Sequence, residues 1–360
     1  MKKLLPYVLI TLFFFVSLFV WNKHIFSYKF DVNIVSDYLR SQDIEDTEEK
    51  IHDRIFVSDN DIYLGAGYLY AKGENPIKYN FQHPPLVKYL FGFSILLAGN
   101  PFYVQIFFGF IFLILTYFLG TKIFKKQYLA LVPVGLLLID PVFRSMMGGA
   151  FLDLGQAVFA LLFVILALFY PKKYILQGIT LGLFAASKFW STAIIIVGLV
   201  YLFKILIKEK IDFKKTLIGF VIAFITFSTI YIKTFIDSNW TFNIFTFLAK
   251  DLKFMLAHNS AGHIGGSILL FVTGFFSPWW KAGVERATDW SILWPISLVS
   301  STILALKLKF KGVGSFLCLL PFAYLLLTST GVPFTRYFLI VLPFIYMGLT
   351  KLIISCLPKR

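Results

Sequence analysis

Charge is scarce in this sequence. Only 15% of its 360 residues are Asp, Glu, Lys or Arg, against 58% that are apolar. A soluble protein of this length needs a polar coat, and too few side chains are present to make one. Cysteine is scarcer still. Cys318 and Cys356 sit in or beside apolar runs, which leaves no disulfide framework and no thiolate metal cluster. No glycine-rich phosphate loop or nucleotide fingerprint occurs, and there is no internal repeat, low-complexity linker or separate soluble domain. The apolar run that follows Met1-Lys2-Lys3 and ends at Trp21 lacks a small-x-small cleavage site, so it reads as a retained first span.

Long apolar runs are present in abundance, and the mean hydropathy is +0.78. Hydrocarbon is then the solvent for much of the surface, and helices are the expected spanning element because their backbone bonds close within one segment. The runs are too continuous for barrel strands with alternating faces. Candidate spans are 4–22, 101–120, 128–143, 153–170, 174–187, 189–207, 217–235, 291–306, 313–329 and 337–355. With ten spans, the lysine clusters at 122–126, 172–173, 204–215, 307–311 and 351–360 all fall on the side of Lys2-Lys3. That distribution obeys the positive-inside rule, so the formal charge of +15 needs no nucleic-acid partner. The expectation is an all-α integral membrane bundle of about 10–13 transmembrane helices. The chain is a single domain in the cytoplasmic membrane, with both termini cytoplasmic and most acidic residues outside.

Three segments stand apart from the spans. Residues 23–85 form a long outer loop with an acidic portion from Asp31 to Asp53. Residues 86–98 are apolar but short, as an element lying along the interface would be. Region 237–290 carries His258, His263, Pro278 and Trp279-Trp280, and reads as an interfacial helix or a further pair of passes.

The ionisable groups are densest in the first outer loop. Ser58 with Asp61 three residues later makes a capping box, and Asp59 and Asp61 would suit the positive end of the helix it opens. The same field would keep Asp59 ionised, as a general base requires. His83-Pro84-Pro85 sets a rigid extended turn, which makes His83 either a surface residue or one held near a phosphate or hydroxyl.

These residues resemble a known family. Asp59 to Tyr63, Gly73-Glu74-Asn75-Pro76 and His83-Pro84-Pro85-Leu86-Val87-Lys88 are similar to the first outer loop of the protein O-mannosyltransferase and aminoarabinose transferase superfamily. Its members are membrane glycosyltransferases of the GT-C architecture that use lipid-phosphate sugars. The resemblance implies juxtamembrane helices on the outer face, Asp59 as catalytic base, and supporting roles for His83 and Lys88. The family's following Glu is Asn60 here, a departure for which Asp61 could compensate. Arg144 and Asp153 resemble the family's second outer junction, Lys188-Phe189-Trp190 a Lys-Trp element, and Arg336-Tyr337 the motif opening a late helix. Asp153 then joins Asp59 and Asp61 as a candidate catalytic residue. Arg144, Lys188 and Arg336 become candidate ligands of a donor phosphate. Their bland alternatives are helix caps and interfacial anchors.

The expected function is inverting transfer of a sugar from a polyprenyl- or dolichyl-phosphate donor to a hydroxyl of a protein, glycan or lipid. The missing nucleotide fingerprint agrees with a lipid-linked donor. A transporter or flippase for a lipid-linked or anionic substrate, or a noncatalytic lipid-binding relative, would need a similar membrane bundle. Asp59, His83 and Asp153 could share a divalent ion, but no metal motif requires one.

Overall fold

The computed structural model describes residues 4–44, 54–259, 263–278, 282–309 and 311–357. The acidic stretch 45–53, the His258 side chain and Trp279-Trp280 lie outside the described residues.

The chain opens with α1 (Leu5–Trp21). Residues 23–85 hold α2 (His24–Ser27), α3 (Asn33–Leu39) and α4 (Asp59–Ala71), and α5 (Leu86–Ala98) follows. Next come α6 (Phe102–Ile123), α7 (Leu131–Ile139), α8 (Pro141–Gly148), α9 (Asp153–Phe169), α10 (Tyr174–Ser187), α11 (Trp190–Leu206) and α12 (Phe213–Thr229). Region 237–290 follows α13 (Ile232–Asp237) and forms α14 (Ile244–Asn259), α15 (Gly266–Thr273) and a ribbon of β1 (Phe275–Phe276) with β2 (Glu285–Arg286). The chain ends with α16 (Leu293–Lys307), α17 (Gly312–Thr328), a 3-10 turn over Thr335–Ile340 and α18 (Leu342–Cys356).

The fold is therefore mostly α, with one short antiparallel pairing, Phe275 opposite Arg286 and Phe276 opposite Glu285. Neither described helix that follows in region 237–290 is long and apolar enough to cross a bilayer. Lys250, Asp251 and Lys253 interrupt α14, and α15 has only 8 residues. The expected span 217–235 starts earlier, at Phe213, and breaks after Thr229 where the chain turns into α13.

Length alone supports fewer crossings than the hydropathy pattern. Among the described residues, α6, with 22 residues, is the one helix long and apolar enough to cross a bilayer unaided. The segment Gln127–Ile139 reaches that length only together with Pro141–Gly148, across a bend of 61°. The bend has a local cause. Asp140 is extended and caps α8, and Pro141 has no N–H to continue α7. Helices α1, α9, α11, α12 and α17 have 17 residues each, the lower limit for a crossing. Two of them nonetheless carry apolar side chains on their exposed faces. Val8, Leu12, Phe15 and Phe19 of α1, and Leu217, Val221 and Phe224 of α12, all face outward.

Close backbone approach holds two helix pairs together. A Cβ on Gly92 of α5 would lie 1.9 Å from the Gly67 carbonyl oxygen of α4. On α10, Gly178 and Gly182 form a small-xxx-small stripe, where added Cβ atoms would lie 2.4 Å and 2.5 Å from the carbonyl oxygens of Gly219 and Ala223 on α12. At one end of this pair, Lys172, Lys204, Lys210 and Lys215 gather with Glu209 and Asp212 around a cavity of about 140 Å³. Lys204 pairs with Glu209 at 3.3 Å and Lys215 with Asp212 at 2.7 Å. These are the charges that the sequence pattern assigns to the cytoplasmic side.

Candidate active site

Helix α4 starts where the capping box requires. The Ser58 Oγ accepts the Asp61 N–H at 3.3 Å and donates to Asp61 Oδ2 at 2.8 Å. Asp61 is thereby committed to the cap, and Asp59 is left as the first residue of the helix. Its carboxylate, 42% exposed, accepts a hydrogen bond from Arg336 Nη2 at 2.6 Å. Arg336 comes from the 3-10 turn that leads into α18.

A second carboxylate flanks the guanidinium. Asp153, the first residue of α9, places Oδ2 3.9 Å from Arg336 Nε. Neither of these buried atoms has a hydrogen-bond partner among the described residues. The other oxygen, Oδ1, accepts from Lys188 Nζ at 2.6 Å, in a pair that is 3% and 1% exposed. Lys188 sits in the turn between α10 and α11, with the Phe189 and Tyr337 rings 5.0 Å and 4.7 Å away. Burial pulls its ammonium down to about 8, against the opposing pull of Asp153. Gln156 of α9 fixes this turn by donating to the Phe189 carbonyl at 3.1 Å.

His83 and Lys88 complete the contribution of the segment from α4 to α5. His83 Nδ1 lies 2.8 Å from the Gln82 carbonyl, which assigns the proton to Nδ1 and leaves Nε2 as an acceptor. The ring packs edge-on to Phe189 at 4.8 Å. Burial, followed by the charges of Lys188 and Lys88, holds the His83 pKa well below 6.5, so the imidazole is neutral. Lys88 is sealed inside and donates to Asn80 O, Asn80 Oδ1 and His83 O at 2.8, 2.9 and 2.7 Å. It pins the turn that carries His83 and is spent on that task.

A cavity of about 620 Å³ opens beside this cluster. Asp59, His83 and Arg336 line it together with Gln82 and Gln156, and an apolar side is formed by Ile195, Leu252, Met255, Leu327 and Val332. Asp153 and Lys188 are not among its lining residues; they stand behind Arg336 and Phe189. Arg144 is elsewhere. It stacks on Trp21 with its guanidinium carbon 4.1 Å from the ring centroid, between α8 and α1, and does not line the cavity. Asn60 Oδ1 is buried without a hydrogen-bond partner among the described residues. It lies beside Gly149, where an added Cβ would be 3.0 Å away.

Two aspartates escaped the sequence reading. Asp43 lines the cavity and accepts from Asn80 Nδ2 at 2.8 Å, from Tyr38 OH at 3.0 Å and from Gln82 Nε2. Burial raises its pKa. Asp251 of α14 is buried, accepts from Trp190 Nε1 at 2.8 Å, and leaves Oδ1 without a partner among the described residues. Burial raises its pKa to about 6. Asp43 was hidden in an acidic run. The signal for Asp251 was a lone aspartate on the inner side of an amphipathic helix. No group of three His, Cys, Asp or Glu side chains that could hold a metal ion occurs among the described residues.

No family model matches this sequence, and no curated protein matches it. The fold does have a solved counterpart, the crystal structure of ArnT from Cupriavidus metallidurans bound to undecaprenyl phosphate. The two superpose with a TM-score of 0.64 at 12% sequence identity, over 97% of this chain and 60% of that one. The likeness is one of fold. The present chain spans about 60% of the length of that structure.

Proposed function

We propose that this protein transfers a sugar from a polyprenyl-phosphate donor to a hydroxyl acceptor, with inversion, at the outer face of the cytoplasmic membrane. The observation that carries the reading is the convergence of Asp59, Asp153, Lys188 and Arg336, from four separate elements, beside a cavity with one polar and one apolar side. The likeness in fold to a structure that holds undecaprenyl phosphate supports the donor class. The exposed apolar faces of α1 and α12 and the one-sided lysines support a multi-pass arrangement with cytoplasmic termini.

Asp59 takes the proton of the acceptor hydroxyl. The acceptor oxygen forms a bond to the anomeric carbon as the bond from that carbon to the phosphate oxygen breaks. A single displacement of this kind inverts the centre. Negative charge grows on the departing lipid phosphate, and Arg336 meets it with a planar fork of N–H donors. Asp153 and Lys188 act through Arg336 by holding the ground behind it. The isoprenoid lies along the apolar side, and the acceptor is a protein, glycan or lipid hydroxyl. Arg144 has no part in phosphate binding, and Asp61 serves the cap.

The test follows release of free lipid phosphate by purified protein from a panel of polyprenyl-phosphate sugars, with acceptor supplied, beside Asp59→Asn. Release by the wild type alone is the expected result. Movement of intact lipid-linked substrate without release would make the protein a transporter. Binding without either would make it a noncatalytic relative.

A further inference from the structure

We infer that the Arg336–Asp59 contact is a latch that the donor's phosphate releases, so that the base becomes competent only after donor binding. The inference rests on the donor class proposed above and adds an order of events to it.

Four charged side chains meet at this point, Asp59, Asp153, Lys188 and Arg336, and their formal charges cancel. A phosphate group adds negative charge to this balance, so one of the carboxylate contacts has to give way. The two carboxylates differ in what release costs them. Asp153 is 3% exposed and its Oδ2 faces only Arg336 among the described charged groups, so losing the guanidinium would leave that oxygen's charge away from water. Asp59 is 42% exposed and can be rehydrated at once. The exchange therefore falls on Asp59.

Arg336 is built to change partners. It reaches Asp59 through one nitrogen, so the paired geometry available to a guanidinium is not used there. Its Nε is buried without a hydrogen-bond partner among the described residues and faces Asp153 at 3.9 Å. The Phe334 and Phe151 rings lie 4.5 Å and 5.3 Å from the guanidinium carbon. These neighbours keep the group in position after Asp59 departs. While Arg336 occupies Asp59 Oδ2, that oxygen is blocked from an acceptor hydroxyl, and once freed beside the cavity it can receive the hydroxyl's proton.

The experiment is equilibrium binding of undecaprenyl phosphate to the full-length protein in detergent, with undecaprenol as the probe that lacks the phosphate. Asp59→Asn should bind undecaprenyl phosphate about five- to tenfold more tightly than wild type, because a competitor for Arg336 has been removed. Binding of undecaprenol should not change. The gain should vanish when Arg336→Gln is combined with Asp59→Asn, which isolates the coupling between the two residues. Asp59→Ser repeats the measurement with a helix-capping residue should the Asn variant unfold. Equal or weaker binding by a folded Asp59 variant, with wild-type binding intact, overturns the latch and leaves the donor class standing. Failure of the wild type to bind undecaprenyl phosphate overturns the donor class, and the latch with it.

Discussion

Asp140 and Asp153 stand at the starts of successive helices, α8 and α9, and both are buried, at 1% and 3% exposure. Their surroundings differ completely. Asp140 Oδ1 accepts the Val142 and Phe143 N–H groups at 2.9 and 3.2 Å, and Oδ2 accepts Trp294 Nε1 at 2.8 Å and the Tyr346 hydroxyl. Every lone-pair direction is used, and three helices are tied together. Asp153 has one oxygen on Lys188 and the other facing Arg336 with no hydrogen bond. The first carboxylate is sealed by its partners, and the second keeps capacity in reserve. Saturation of hydrogen bonds separates Asp140 from the acid that the proposed mechanism uses, although burial is nearly the same.

The sharpest way to break the comparison is to remove charge from the open site. Asp153→Asn leaves the Lys188 ammonium buried without its partner and should cost about 3–5 kcal/mol in thermal or denaturant unfolding. Adding Lys188→Met should restore most of that stability, since a buried pair is often replaceable by apolar groups, but turnover should stay lost. Recovery of turnover in the double variant would show that neither residue serves the chemistry.

Lys88 lies on the saturated side of the comparison. Lys88→Met strands three buried acceptors around the His83 turn and should destabilise by about 2–3 kcal/mol, measured by the same unfolding assay. His83 offers a pH test. Its folded pKa is depressed by burial, so below about 6.5 the unfolded chain binds a proton that the folded chain refuses. Stability should fall with decreasing pH from that point, by at most ~1.4 kcal/mol per unit, and His83→Gln should flatten the slope. The smallest effect belongs to Arg144→Ala. It removes a surface stack on Trp21, worth about 0.5–1 kcal/mol, and should leave undecaprenyl phosphate affinity unchanged.

Much of this was legible in the chain because it is local. Ser58 and Asp61 are three residues apart, and their capping box follows from spacing alone. The lysine clusters mark one end of the bundle because charge is rare everywhere else. The pairing of Asp59 with Arg336 spans 277 positions and depends on how α4 and the turn before α18 meet, which no local pattern encodes. Arg144 and Lys188 read alike in sequence, as basic residues at outer junctions. Only packing distinguishes the arginine stacked on α1 from the lysine buried against α9. Region 237–290 was ambiguous because its apolar pieces are interrupted by charge, and the amphipathic α14 becomes one wall of the cavity.

The central claim is tested most directly by measuring turnover and unfolding temperature together for Asp59→Asn and Asp140→Asn. Asp59→Asn should unfold like wild type and lose about 10²–10⁴-fold in rate. Asp140→Asn should unfold at a lower temperature, and each folded molecule should turn over at close to the wild-type rate. A folded Asp59→Asn protein with near-normal turnover would contradict the account.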